Sequence, residues 1–366
     1  MDLDTDELGT AVSYFIMYAE AAAAATLSTQ SSTQEPSSVT VTQSKPGNND
    51  GDHEFWLEDE WTEHEMAEAH QKLEEAQPLC DVRSSSARGA FFIRKFEEAA
   101  GENWDAFYSR NQTNFFKDRH YLHKAFPDEV GPLYSLESEK TSQISAEQVG
   151  DEKFVIMEIG CGVGNAILPL LERKRTVSIR GKQKQVVAWG LDFASVAIDL
   201  LKKDERFVAA SGEDRAYANV WDITEPPPAY DIVSISDVSI LLFCLSAISP
   251  EKMLDAAKHA ASTLKPGGTL VFRDYGRYDE AQMKLGTSRA KRIGDNFYVK
   301  SDGTRCYYFD LLDLKRLFGE EGARLEILEL KYLRRNYRNR EMSRTRRRVW
   351  VQGRFRKPSI HQSRQV

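Results

Sequence analysis

The segment Glu158-Ile-Gly160-Cys-Gly162-Val-Gly164-Asn165 sets three glycines at alternate positions directly after the largely apolar run Phe154 to Ile159. Glycine lets the backbone turn sharply and approach a ligand that a Cβ would exclude. A dinucleotide fingerprint would read Gly-x-Gly-x-x-Gly and hold a pyrophosphate over the helix that follows. Here the third glycine comes one residue early, and Glu158 stands beside the loop, where it would repel a pyrophosphate. A cationic ligand suits that carboxylate better, and S-adenosylmethionine carries both a sulfonium and an ammonium group. Two further acids fall where such a cofactor needs acceptors. Asp192 ends a second apolar run, where one carboxylate can take both ribose hydroxyls, and Asp222 ends a third, within reach of an adenine amine. A single Asp after a strand is as well explained as a helix N-cap. Three such signals in strand order favour the binding site.

Strands alternating with helices must carry these residues. Phe154 to Ile159 reads as the first strand, with a helix over Ala166 to Glu172; Val186 to Asp192 is the second, with a helix over Ser195 to Lys203. A weaker third strand covers Ala216 to Trp221. Asp231-Ile-Val-Ser-Ile reads as the fourth, followed by a helix over Pro250 to Leu264, a Lys265-Pro-Gly-Gly turn and a fifth strand from Thr269 to Arg273. This alternation predicts a doubly wound, mostly parallel α/β sheet covered on both faces, with ligands at the carboxyl ends of its strands. Phe297-Tyr-Val and Cys306-Tyr-Tyr-Phe flank Asp302-Gly303 as an inserted hairpin near 297–309, and Val349 to Phe355 alternates as a last strand.

Ahead of the sheet, residues 1–51 include a Ser, Thr, Gln and Pro-rich stretch with too few apolar groups to order it. Residues 52–150 read as a helical extension, with one helix over Glu54 to Gln77 and a second helical region from Phe91 to Phe116. The sheet domain spans 151–357, and 358–366 is a tail. Net charge is −7, yet Lys331 to Lys357 holds twelve Lys/Arg against the single acid Glu341, while Asp52 to Glu75 is acidic. The basic end predicts an anionic partner, the alternative being a solvated face. Cys80, Cys161, Cys244 and Cys306 show neither a disulfide framework nor zinc-ligand spacing, which points to a reducing compartment. The Ala-rich run Ala11 to Leu27 is interrupted by Glu20 and follows an acidic start, so a cytosolic or nuclear location is expected, with no membrane.

Several segments are narrower in type: Asn114-Phe-Phe-Lys-Asp-Arg-His-Tyr121, Leu242-Phe-Cys-Leu-Ser-Ala-Ile248, Arg273-Asp-Tyr-Gly276 and Asn296-Phe-Tyr-Val-Lys-Ser-Asp-Gly-Thr-Arg305. With the glycine loop and Leu264-Lys-Pro-Gly-Gly268, they resemble the tRNA 3-methylcytidine methyltransferases over roughly Trp104 to Lys357. Phe55-Trp-Leu-Glu-Asp-Glu-Trp-Thr-Glu63 is similar to the upstream segment of the branch acting on threonine tRNAs. The resemblance implies a seven-stranded, Rossmann-like class I methyltransferase fold. It implies transfer of methyl from S-adenosylmethionine to N3 of cytidine 32 in the anticodon loop of threonine or serine tRNAs. An aminoacyl-tRNA synthetase or other accessory protein is left open as a partner. The expected cofactor residues are Trp104, Tyr108, Gly160, Gly162, Asp192, Phe193, Asp222, Ile223 and Leu242, with Trp104 and Tyr108 one helical turn apart and closing over the pocket.

For that chemistry, N3 of cytosine offers an in-plane lone pair and no proton, so no general base is needed. An acceptor near the base would stabilise the cation formed as methyl arrives. Asp274 is the candidate acceptor, the alternative being pairing with Arg273 or Arg277; Tyr275 and Phe115 or Phe116 are candidates for stacking the base. Candidate RNA contacts are Phe116, Lys117, Arg119, His120, Arg273, Arg289, Arg305, Arg346, Arg347 and Arg348, with Lys291 and Arg292 beside them. His120 and His123 are spaced for one helix face, but no third ligand suggests a metal. The rival readings are a methyltransferase of this fold acting on a protein or small molecule, and an inactive RNA-binding scaffold.

Overall fold

The structure, a computed structural model, describes residues 62–80, 87–134, 152–173, 175–228, 232–339 and 344–359; within these it leaves out the side chains of 63, 78–80, 87–88, 336–339 and 344–346. The expected disorder of 1–51, the segment Phe55 to Trp61 and the side chain of Arg346 lie outside the described residues.

The run Phe154 to Met157 is apolar on both pleat faces because both faces are covered. β1 (Lys153–Ile159) lies between β3 (Lys182–Asp192) and β5 (Ser236–Leu242), parallel to each. β4 (Ala216–Val220) extends the sheet beyond β3 and β6 (Leu264–Tyr275) extends it beyond β5, again in parallel. β11 (Arg344–Arg356) adds antiparallel to β6, and β10 (Glu326–Asn339) antiparallel to β11. The order β4-β3-β1-β5-β6-β11-β10 gives the expected seven positions. An eighth, short strand, β2 (Thr176–Ile179), folds back on the start of β3 through Arg180-Gly181, both at positive φ. The chain leaves β1 for β3 and later returns on the other side through β5. The carboxyl ends of β1 and β5 therefore diverge, leaving the crevice in which open α/β sheets bind ligands.

Each face of the sheet has its own core. Met157, Ile159, Leu241 and Phe272 pack on Met253, Ala256, Ala257 and Ala260, spaced along one side of a helix over Pro250–Thr263. Ile156, Ile240, Leu242 and Val271 pack instead on Leu122, Phe126, Val130 and Leu133, so part of the N-terminal extension covers the opposite face.

Three sequence expectations shift. The fourth strand is Ser236–Leu242 rather than Asp231–Ile235: Ser234 turns the chain at φ +57, and residues 229–231 are outside the described residues. Ser236 and Ser239 disguise this strand, yet both are fully buried; Ser236 Oγ and Ser239 Oγ are 2.8 Å apart, and Ser239 Oγ is 2.8 Å from Thr263 Oγ1. After α1 (Glu63–Cys80), the region Phe91 to Phe116 is two helices, α2 (Ala87–Glu98) and α3 (Ala100–Asn111), ending where Gln112 takes φ +52. Phe115 and Phe116 therefore lie on irregular chain. The insert gains a third strand, since β7 (Arg292–Gly294) pairs with β8 (Phe297–Val299), which pairs with β9 (Arg305–Tyr307).

Candidate active site

At the crevice the glycine loop is fixed from below. Glu158 is 5% exposed and its Oε2 accepts the Ile167 amide at 3.1 Å, capping the helix after the loop. It is absent from the cavity wall, so the expectation that it faces a cationic ligand is corrected: the carboxyl supports the loop. Burial pushes it up to about 8, partly offset by the Ile167 amide and by Arg119. Asp192, at the end of β3, accepts the Gly162 amide at 2.7 Å and the Ala194 amide at 2.9 Å, one on each oxygen. Burial raises it to about 6, although those amides favour the charged form. Its carboxylate thus ties the loop after β1 to the helix after β3 while remaining on the cavity wall.

The cavity has a volume of about 330 Å³, at the lower end of the roughly 300–1,000 Å³ usual for small-molecule sites. Gly160, Asp192, Phe193, Asp222, Ile223, Trp104 and Tyr108 all line it. Asp222 Oδ1 accepts the Thr224 amide at 2.9 Å, leaving Oδ2 for a ligand. The rings of Trp104 and Tyr108, adjacent turns of α3, stack 5.9 Å apart at 29°. Gly162 is not on the wall; its Cα packs beneath the Tyr108 hydroxyl, leaving no space for a Cβ. Leu242 belongs to the opposite core, and Phe243 and Cys244 line the cavity in its place. Phe243 sits at φ +53, a conformation a bulky residue adopts at a cost of about 1–3 kcal/mol. That turn brings Cys244 so close to Gly160 that any Cβ there would strike its Sγ. Trp221, Gly101, Glu97, Lys252 and Arg305 complete this part of the wall. Contact across the fold places them there; of these only Arg305 stands in one of the quoted segments, and there as an expected RNA contact.

Beside the cavity, aromatic rings and cations alternate. The Arg119 guanidinium lies 5.1 Å from the Phe243 ring centre and 5.9 Å from that of Phe116. Phe243 packs on Tyr275 at 5.1 Å, and Tyr275 has Lys300 Nζ at 5.9 Å and Arg348 at 5.7 Å. Lys117, His120 and Arg289 are exposed, and Phe115 is 53% exposed. Asp274 is another correction. It is fully buried and pairs with neither Arg273 nor Arg277. Its Oδ2 accepts the Ser246 amide at 2.9 Å and its Oδ1 the Tyr275 amide at 2.8 Å, and burial raises it to about 7. It positions the chain around Cys244 and Tyr275 from beneath, without facing the cavity.

Three expected RNA contacts are otherwise engaged. Arg273 is 3% exposed, bonds Gln352 Oε1 through Nε at 3.1 Å and stacks on Tyr121 at 4.9 Å, so no phosphate reaches it. Arg305 is 7% exposed and binds Glu97 inside the cavity wall. Arg348 commits Nε to the fully buried Asp279 at 2.8 Å. Arg347 is more than half exposed, 3.4 Å from Glu65. His120 and His123 do not share a helix face: His120 precedes the short helix Leu122–Ala125, and His123 Nδ1 lies 2.9 Å from the His120 carbonyl.

Comparison with known proteins bears on this geometry. Residues 120–328 match the family described as a methyltransferase domain. Among relatives, "tRNA N(3)-cytidine methyltransferase METTL2" of Danio rerio is 35% identical over 324 residues, covering 83% of this chain and 85% of its own. "tRNA N(3)-methylcytidine methyltransferase Mettl2" of Drosophila melanogaster is 36% identical, covering 75% and 77%. "tRNA N(3)-cytidine methyltransferase METTL6" of Homo sapiens is 34% identical, covering 73% and 84%.

Proposed function

The chain belongs to the tRNA N(3)-cytidine methyltransferase family, and on that premise we propose that it methylates N3 of cytidine 32 in the anticodon loop of threonine or serine tRNAs. The observation that carries this reading is one continuous arrangement: a cavity walled by Asp192, Asp222 and the Trp104–Tyr108 stack, opening beside the cationic aromatic surface of Phe116, Arg119 and Phe243.

The cavity fits S-adenosylmethionine in size and chemistry. Where Gly160 meets Cys244, the wall is a cradle that a Cβ would fill. Asp192 spends one lone pair of each oxygen on the loop amides, so both oxygens can still accept a ribose hydroxyl. Asp222 Oδ2 is available for an adenine amine. When bound, this cofactor supplies an electrophilic methyl group on a sulfonium. The work left to the protein is positioning, since N3 has its lone pair ready and loses no proton. Trp104 and Tyr108 exclude water from the reacting centre. Phe116, Phe243 and Tyr275 offer faces for an unpaired base taken out of its stack, at little cost for a loop cytidine. Lys117, Arg119, Arg289 and Arg347 supply charge for flanking phosphates.

The test is nucleoside analysis of unmodified threonine and serine tRNA transcripts incubated with the protein, S-adenosylmethionine and the matching aminoacyl-tRNA synthetases. 3-Methylcytidine should form, and a cytidine-to-uridine change at position 32 should abolish it. Methyl groups on another atom, or on none, would overturn the reading.

A further inference from the structure

Helices α2 and α3 cross the mouth of the cavity and are fastened on both sides. Toward β3, Asp105 accepts the Val196 amide at 3.0 Å and the Ser195 hydroxyl at 3.3 Å, at the start of the helix Ser195–Lys203. Toward the three-stranded insert, Asn103 Nδ2 donates to the Gly303 carbonyl at 3.1 Å. The strongest tie is at the end of α2. There Glu97 Oε2 accepts from both Arg305 Nη1 and Ser249 Oγ, and Oε1 lies 2.8 Å from Lys252 Nζ. Arg305 Nη1 also donates to Ser249 Oγ at 2.8 Å. One carboxylate from the cap thus gathers two cations and a hydroxyl from two other elements, and Glu97, Lys252 and Arg305 are themselves cavity wall.

The charges explain why this tie closes the cap. The Arg305 side chain is 8% exposed and loses most of its hydration. Burial alone lowers its affinity for a proton, to about 10. Its carboxylate partner is Glu97, which sits on the cap. Lifting α2 would take the Glu97 carboxylate away from both Arg305 and Lys252 at once, so the closed state is favoured while Glu97 is in place.

We propose that Glu97 is a latch residue: its contacts with Arg305, Ser249 and Lys252 hold the cap shut over the bound cofactor, and they must break before cofactor or product can leave. The proposal rests on the reading that this cavity holds S-adenosylmethionine. Glu97→Gln keeps the shape and removes the charge, and Arg305→Lys keeps the charge and removes the planar fork.

The experiment uses the full chain with S-adenosylhomocysteine as probe, following its displacement by stopped-flow tryptophan fluorescence. Because Glu97 keeps some exposure, Glu97→Gln should speed dissociation by about tenfold while association changes little. Arg305→Lys should move it in the same direction and serves if the first variant does not fold. A loss of packing without a latch would instead lower the unfolding midpoint of the ligand-free protein and slow association; that pattern, or dissociation at the wild-type rate in both variants, would overturn the latch. Failure of the wild-type protein to bind the probe would identify a different error, in the reading of the cavity itself, and the latch would fall with it.

Discussion

Replacing Asp192 with Asn exchanges a carboxylate that accepts on both oxygens for a group with one acceptor and one donor. In the native protein those oxygens hold the Gly162 amide at 2.7 Å and the Ala194 amide at 2.9 Å, and the residue is 7% exposed. Asn can satisfy only one of them, and its NH₂ faces the other. Losing one charge-assisted bond and stranding one buried donor should cost the fold about 2–4 kcal/mol. Two ribose hydroxyls would also lose an ionised acceptor, worth roughly 1.5–3 kcal/mol of cofactor binding, or roughly 10- to 150-fold in affinity. Calorimetric titration with S-adenosylhomocysteine measures the second effect separately, provided denaturation shows the variant folded. The pH dependence has a defined sign. Burial raises Asp192 to about 6, so the ionised acceptor is present above that value and is lost below it. Wild-type affinity should fall between about pH 7.5 and about pH 5.5, while the Asn variant stays flat over that range. Equal affinity in the two proteins would refute the placement of the ribose on Asp192.

Glu158 ionises near 4.5 in the unfolded chain but keeps its proton to about 8 in the folded one. The folded state therefore binds more protons across that window, and this contribution to stability is full below about 4.5 and lost as pH rises through about 8. Glu158→Gln, which can still accept the Ile167 amide, should be no less stable than wild type near pH 8 and should show a flatter stability profile in urea titrations; identical profiles would count against it. For the RNA surface, changing exposed Lys117 and Arg289 to Glu should weaken tRNA binding and lower the salt slope of log affinity by about 1.4–1.8, with cofactor affinity unmoved. Filter binding across a salt series checks this, and an unchanged slope would remove both residues from the interface.

The parts of this protein legible in neighbouring residues are those whose physics is local. Three alternate glycines after an apolar run need close backbone approach wherever the rest of the chain lies, and Gly160, Gly162 and Gly164 all take positive φ. Asp192 and Asp222 mark strand ends because a carboxylate there meets backbone amides of the next turn, as both do. Trp104 and Tyr108 are neighbours because four residues make one helical turn, and their rings stack there. Tertiary structure decided which side chains stay free to act. Asp274, Arg273, Arg305 and Arg348 have the types expected of an RNA methyltransferase site, but burial engages each with a partner distant in sequence: Ser246, Gln352, Glu97 and Asp279. Only the fold brings together Glu97, Ser249, Lys252 and Arg305, which lie up to 208 residues apart. The division follows from range. Hydrogen bonds to the next turn are written in neighbouring letters. Desolvation of a charge depends on what packs over it, and the elements over this site come from both ends of the described chain.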